Sequence, residues 1–145
     1  MNGQGRVAGK LKKGYRQLID EANALIETIA IRAALALPDD PGVTLIDLRD
    51  IRELWREGKI PGAVHAPRGM LEFWVDPESP YHREVFASGK KFVLYCQSGW
   101  RSALAARELQ EMGFGPVAHI EDGYHAWKEA GGPTEPVEQK PPAKK

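Results

Sequence analysis

The residues best suited to do chemistry in this chain lie in one stretch, Cys96-Gln97-Ser98-Gly99-Trp100-Arg101. Cys96 is the only cysteine among 145 residues. It follows an apolar, β-rich tetrad, Phe92 to Tyr95, and precedes a segment, Ser102 to Met112, whose Leu104, Ala105, Glu108, Leu109 and Met112 mark one helical face. A thiol between a strand end and a helix start faces the free N–H groups of the first helical turn and the positive end of the helix dipole, and both favour a thiolate. Thiols in such settings titrate in roughly the 3.5–7.5 range rather than near 8.5, and the thiolate is the nucleophile. Gly99 lets the backbone curl so that successive N–H groups converge, forming a nest for a tetrahedral anion or for a terminal sulfur bearing negative charge. Arg101 adds a fixed cation beside it. An unpaired cysteine at a strand end is often an inert apolar residue, but a core cysteine needs no glycine and arginine at helix-cap distance.

The elements that must position this loop follow from the rest of the chain. At 145 residues there is room for one domain with one core. Twenty basic residues balance twenty acidic ones, so no global field draws the protein to nucleic acid or an anionic membrane. One cysteine excludes an intrachain disulfide and a multi-thiolate metal centre, and with no secretory signal the cytoplasm is the expected compartment. The most apolar stretch, Leu18 to Leu37, contains Asp20, Glu21, Glu27 and Arg32, which argues against a transmembrane helix.

Residues 1–13 and the Pro- and Lys-rich 133–145 read as flexible tails. Within 14–37, Leu18, Ala22, Leu25, Ile26, Ile29 and Ala33 recur at helical spacing and predict an N-terminal helical extension ending before Pro38. Residues 38–132 form the domain proper. Val43 to Leu48 predicts a strand, Asp50 to Arg56 a helix, Ala63 to Ala66 a second strand, Val117 to Ile120 a last strand and Gly123 to Glu129 a last helix. Pro67 to Gly89 reads as a long loop with short helices near Leu71 and Arg83. Strands alternating with helices give an α/β fold, a small parallel β-sheet flanked by helices with an extra N-terminal helix, and ligands bind outside the carboxyl ends of such strands. Cys96 sits at such an end.

From Val43 to Pro133 the succession LIDLRD, GKIPGAVHAP, FVLYCQSGWRS and DGYHAWKEAGGP resembles the rhodanese family: an Asp-x-Arg strand end, a Pro-Gly turn, a Cys-x-x-Gly-x-Arg loop and a closing helix with its tryptophan. The resemblance implies a rhodanese-like fold and a single-domain sulfurtransferase. It implies Cys96 as the persulfide-bearing nucleophile with Arg101 beside it, and the backbone of Gln97, Ser98, Gly99, Trp100 and Ser102 as the substrate-binding anion cradle. It calls for no cofactor. Lys59 stands where the family usually has His, and Asp122 stands at the first Gly of a Gly-Gly pair. Ser98 is neutral where several thiosulfate-using relatives place a cation, which disfavours efficient use of thiosulfate.

The partners implied are a small sulfur-containing anion as donor and, because there is no second cysteine, an external thiol, a thioredoxin-like protein or cyanide as acceptor. Two other readings compete. One is a Cys-dependent phosphatase or arsenate reductase of the same fold, whose relatives carry a loop one residue longer; the other is a non-catalytic rhodanese-type binding module. Among the remaining residues, Asp47 and Arg49 read as a structural tie or as contacts to the loop, and Trp100 as a packing residue or an exposed indole at a pocket mouth. Phe73 and Trp74 read as anchors onto the core and Trp127 as a buried helix-face residue. His65, His82, His119 and His125 lack metal spacing and read as four unrelated histidines, so no metal is expected.

Overall fold

The computed structural model describes Gly9 and residues 11–140. In chain order the elements are α1 (Tyr15–Leu25), β1 (Glu27–Ile29), α2 (Ile31–Ala34), β2 (Val43–Asp47), α3 (Ile51–Glu57), β3 (Val64–His65), α4 (Leu71–Val75), β4 (Lys91–Tyr95), α5 (Trp100–Glu111), β5 (Val117–Ile120) and α6 (Gly123–Glu129). Short 3-10 turns at Leu37–Asp39, Arg68–Met70 and Glu84–Ala87 fill the connections. The five strands form one sheet in the order β1-β5-β4-β2-β3, and every pairing is parallel.

Central β4 is covered on both faces, as expected for a parallel sheet. Its side chains alternate. Phe92, Leu94 and then Cys96 face a core of Ile46, Leu48, Leu71, Phe86, Ala105 and Leu109, whereas Val93 and Tyr95 face Leu45, Ile60, Ile120, Tyr124 and Trp127. Period two thus delivers the thiol to the α5 face of the sheet. Trp127 is fully buried, with Nε1 donating to Pro133 O at 2.8 Å.

The N-terminal extension departs from the wholly helical reading of 14–37. Helix α1 stops at Leu25, and Glu27–Ile29 joins the sheet as a strand, pairing Glu27 with Ala118, Thr28 with His119 and Ile29 with Ile120. The reason is tertiary: without β1 the β5 edge would present unpaired backbone groups. Helix α1 buries Ile19 and Ala22 against Ala103 of α5.

A second correction falls at the other end. Pro133 to Glu135, placed in a tail by composition, is held in place: Lys59 N donates to Glu135 O at 2.9 Å, Glu135 N donates to Lys59 O at 2.8 Å, and Lys59 Nζ meets the Glu135 carboxylate at 3.0 Å. Most of the predicted N-terminal tail (1–8 and 10) and the last five residues of the C-terminal one (141–145) lie outside the described residues. Phe73, expected to pack on the core, is 53% exposed. Trp74 does pack there, with the Arg83 guanidinium 3.8 Å from the centre of one of its rings. Among the described residues, no helix is long and apolar enough to cross a membrane.

Candidate active site

The loop begins where β4 ends and is clamped at once by the N-terminus of α6. Tyr124 N donates to Cys96 O at 2.8 Å, and His125 N donates to Gln97 O at 3.0 Å. This close approach requires Gly123, which has φ +62° and sits where any Cβ would overlap Cys96 O. Asp122, at φ 57°, occupies the left-handed region that the family's glycine would enter without strain. Gly99 then turns the chain into α5 at φ +91°, and a Cβ there would lie 3.1 Å from Asp122 N.

Helix α5 has no side-chain oxygen capping its start. The acceptor is sulfur: the N–H of Ser102, in the first helical turn, donates to Cys96 Sγ at 3.4 Å. Cys96 therefore takes the place that Ser, Thr or Asp fills at an ordinary N-terminus, and the helix dipole favours negative charge at that sulfur. Sγ also lies 3.6 Å from Ser102 Oγ. The thiol is 1% exposed.

Side chains from other elements fix the loop. Both terminal nitrogens of Arg101 bind Glu53, NH1 to Oε2 at 2.9 Å and NH2 to Oε1 at 3.0 Å. This pairing holds the Glu53 carboxyl below the usual range and, together with attraction to the Cys96 sulfur, raises the Arg101 guanidinium. Gln97 accepts from Arg49 NH1 at 3.3 Å and donates to Glu57 Oε1 at 3.2 Å. Arg49 is fully buried; it pairs with Asp47 at 2.7 Å, donates to Gly58 O at 2.7 Å, and its guanidinium carbon sits 4.1 Å from the Tyr124 ring centre. Asp47 and Arg49 are thus mainly a structural tie, with one hydrogen bond reaching the loop.

The structure therefore sets Ser102 on the Cys96 sulfur with the Arg101 cation near it, ties Gln97 to Arg49 and Glu57 instead, uses Gly99 to turn the chain, and leaves Ser98 and Trp100 exposed. Trp100 is 48% exposed and packs on Tyr15 of α1, ring centres 5.0 Å apart. Sequence reasoning missed Glu53, whose only signal was the Asp50-x-x-Glu53 capping box that starts α3. It also gave His119 no part in the site, yet His119 Nδ1 lies 2.8 Å from Ser102 Oγ. The available signal was a polar residue inside the otherwise apolar Val117–Ile120 run.

Residues 31–130 match the model of the rhodanese-like domain. A putative sulfurtransferase of Bacillus subtilis, YtwF, is 33% identical over 111 residues, covering 77% of this chain and 93% of its own length. A Rhodopseudomonas palustris structure, described as a protein of unknown function and possible tyrosine phosphatase, superimposes with TM-score 0.85 at 50% identity, covering 90% of this chain and all of that one. The polysulfide-sulfur transferase homodimer of Wolinella succinogenes superimposes with TM-score 0.64 at 29% identity, covering 85% of this chain and 88% of that one. Of two longer curated relatives the chain spans 55% and 58%.

Proposed function

The chain belongs to the rhodanese-like domain family, and from that premise we propose that it is a sulfurtransferase carrying sulfane sulfur as a Cys96 persulfide. The observation that supports this best is the Ser102 N–H on Cys96 Sγ at 3.4 Å, which closes the loop from Cys96 to Ser102 back onto its own sulfur atom.

In the first half-reaction the Cys96 thiolate attacks the outer sulfur of a donor such as thiosulfate. The new S–S bond forms as the donor's bond to that sulfur breaks, and the electron pair leaves with sulfite. In the second, an acceptor nucleophile attacks the terminal sulfur, the Cys96 S–S bond breaks, and the thiolate returns; cyanide would leave as thiocyanate and a thiol as its persulfide. Neither half needs an acid once the nucleophile and leaving group are anionic. The amides of residues 97–102 supply the cradle for the anionic persulfide, a contribution of about 3 kcal/mol per well-aimed donor. Arg101 adds less charge than its type implies, because Glu53 takes both of its terminal nitrogens. This favours singly charged polysulfide or persulfide donors over dianionic thiosulfate. A lone reactive thiol also suits a reducing compartment such as the cytoplasm.

The second reading is a phosphatase, favoured by the description of the R. palustris structure. Against it stands the same Glu53–Arg101 pair: a phosphate would have to displace a bidentate carboxylate to reach the guanidinium.

Intact-mass spectrometry after brief exposure to thiosulfate or polysulfide tests the proposal. One added sulfur mass on the wild type, removable by cyanide and missing in Cys96→Ser, is the expected result. No adduct from either donor overturns it, and Cys96-dependent hydrolysis of an aryl phosphate would then establish the second reading.

A further inference from the structure

A cavity of about 380 Å³ lies against the Cys96 loop on its α1 side, lined in part by Asn23, Thr28, Ser98, Gly99 and His119. His119 is buried on β5, and its two ring nitrogens meet different partners. Nδ1 is 2.8 Å from Ser102 Oγ; Nε2 is 2.9 Å from Asn23 Oδ1 and 3.2 Å from Thr28 Oγ1. With Ser102 Oγ 3.6 Å from Cys96 Sγ, a continuous file of polar atoms runs from the sulfur to residues lining the cavity. Neither half of the sulfur-transfer cycle, as written, uses it.

The hydrogens in this file are fixed by its far end. Asn23 Oδ1 only accepts, so Nε2 carries the ring hydrogen and Nδ1 a lone pair. The Ser102 hydroxyl then donates to Nδ1, leaving its oxygen to accept from the Cys96 thiol. That arrangement suits a protonated sulfur. A thiolate requires the opposite one, with the hydroxyl turned toward sulfur.

We propose that Ser102 and His119 are a buried proton relay that converts the first arrangement into the second as Cys96 ionises. The Cys96 S–H bond breaks and its proton passes to Ser102 Oγ; the former Ser102 hydroxyl proton passes to His119 Nδ1; the Nε2 proton leaves to solvent through the cavity. No electrons change hands. The end state leaves a hydroxyl donating to the sulfur anion, Nδ1–H donating to Ser102 Oγ, and the bared Nε2 accepting from the Thr28 hydroxyl and, once the Asn23 amide turns over, from its NH2 in place of Oδ1. Burial holds His119 down at about 4, so the ring is neutral at pH 7 and passes the proton by changing tautomer rather than by becoming imidazolium.

Other charged groups frame this path. Arg101 faces the sulfur, itself held by Glu53 from α3 and influenced by Asp47 at the end of β2; Glu121 and Asp122 line the cavity beyond His119. His119 touches no reacting atom and acts through Ser102, so it is a positioning residue. The relay rests on the reading of Cys96 as a thiolate nucleophile, but its test uses no sulfur donor, so the two proposals fail separately.

The test follows the ring nitrogens of His119 by 15N NMR in the wild-type protein while Cys96 is titrated, and compares alkylation of Cys96 by iodoacetamide in wild type and Ser102→Ala. His119 should be the Nε2–H tautomer while Cys96 is a thiol and the Nδ1–H tautomer once it is a thiolate. In Ser102→Ala the tautomer should stay fixed, and alkylation at neutral pH should be about tenfold slower with an unchanged plateau at high pH. A single tautomer throughout the wild-type titration, or coincident alkylation profiles, overturns the relay.

Discussion

Glu53 grips Arg101 through two parallel hydrogen bonds of 2.9 and 3.0 Å, joining the first turn of α3 to the first turn of α5 across 48 residues. The same carboxylate accepts from Asp50 N at 3.0 Å and so completes the cap of α3. One side chain both starts a helix and aims the cation of the loop. Glu53→Gln keeps an acceptor for the cap but gives up the charged fork that aims Arg101, so kcat/KM with a singly charged polysulfide donor should fall by about tenfold, or about 1.4 kcal/mol, while the melting temperature barely moves. Steady-state kinetics and a thermal melt check both halves; an unchanged rate would show that Arg101 needs no aiming.

The buried pair Asp47–Arg49 predicts a stability effect instead. Asp47→Ala would leave a fully buried guanidinium with Gly58 O, Gln97 and the faces of Tyr124 and Tyr95 as partners and no counter-charge against it. The cost should be about 3–5 kcal/mol, read by urea unfolding. A loss under about 1 kcal/mol would mean that the pair behaves like a solvated surface bridge.

Two glycines separate backbone strain from steric conflict. At Gly113 φ is +83° and nothing lies within 4 Å of an added Cβ, so Gly113→Ala should cost about 1–2 kcal/mol and leave sulfur transfer intact. At Gly123 the same strain is joined by overlap with Cys96 O. Gly123→Ala should push the α6 amides off the loop and abolish persulfide formation. Equal activity in the two variants would refute the clamp.

His119 predicts a pH dependence of stability. Burial lowers its folded value to about 4 from 6.5, so between those values the unfolded chain binds a proton that the folded chain refuses. Stability is then complete above about pH 6.5 and declines as the pH falls toward 4, by up to about 3 kcal/mol. His119→Gln should lose that slope. Chemical denaturation of both proteins at about pH 7 and pH 5 isolates it, and parallel declines would assign the effect to other groups.

The path from β4 through the loop to α5 was legible because its signals are local: an apolar tetrad, a glycine in a tight turn, then apolar residues at helical spacing. β5 and α6 were legible for the same reason. Glu27–Ile29 was not, because Ile26 and Ile29 continue the helical period of α1, and only the open edge of β5 makes extension cheaper there than another turn. Glu53 and His119 escaped likewise: each is a common residue in its own element, and its role is set by a partner far along the chain. Distance in sequence, not weakness of contact, hid them.

The parallel order β1-β5-β4 also has a consequence for biosynthesis. β5 enters last between two strands made much earlier, and Thr28 meets His119 across 91 residues. Until the ribosome has passed Ile120, β1 and β4 have no strand between them, and until it has passed His125, the α6 amides that clamp Cys96 O and Gln97 O do not exist. The nascent chain therefore carries its thiol without the clamp that shapes it through the whole stretch from Cys96 to His125, and the site is assembled in one late step.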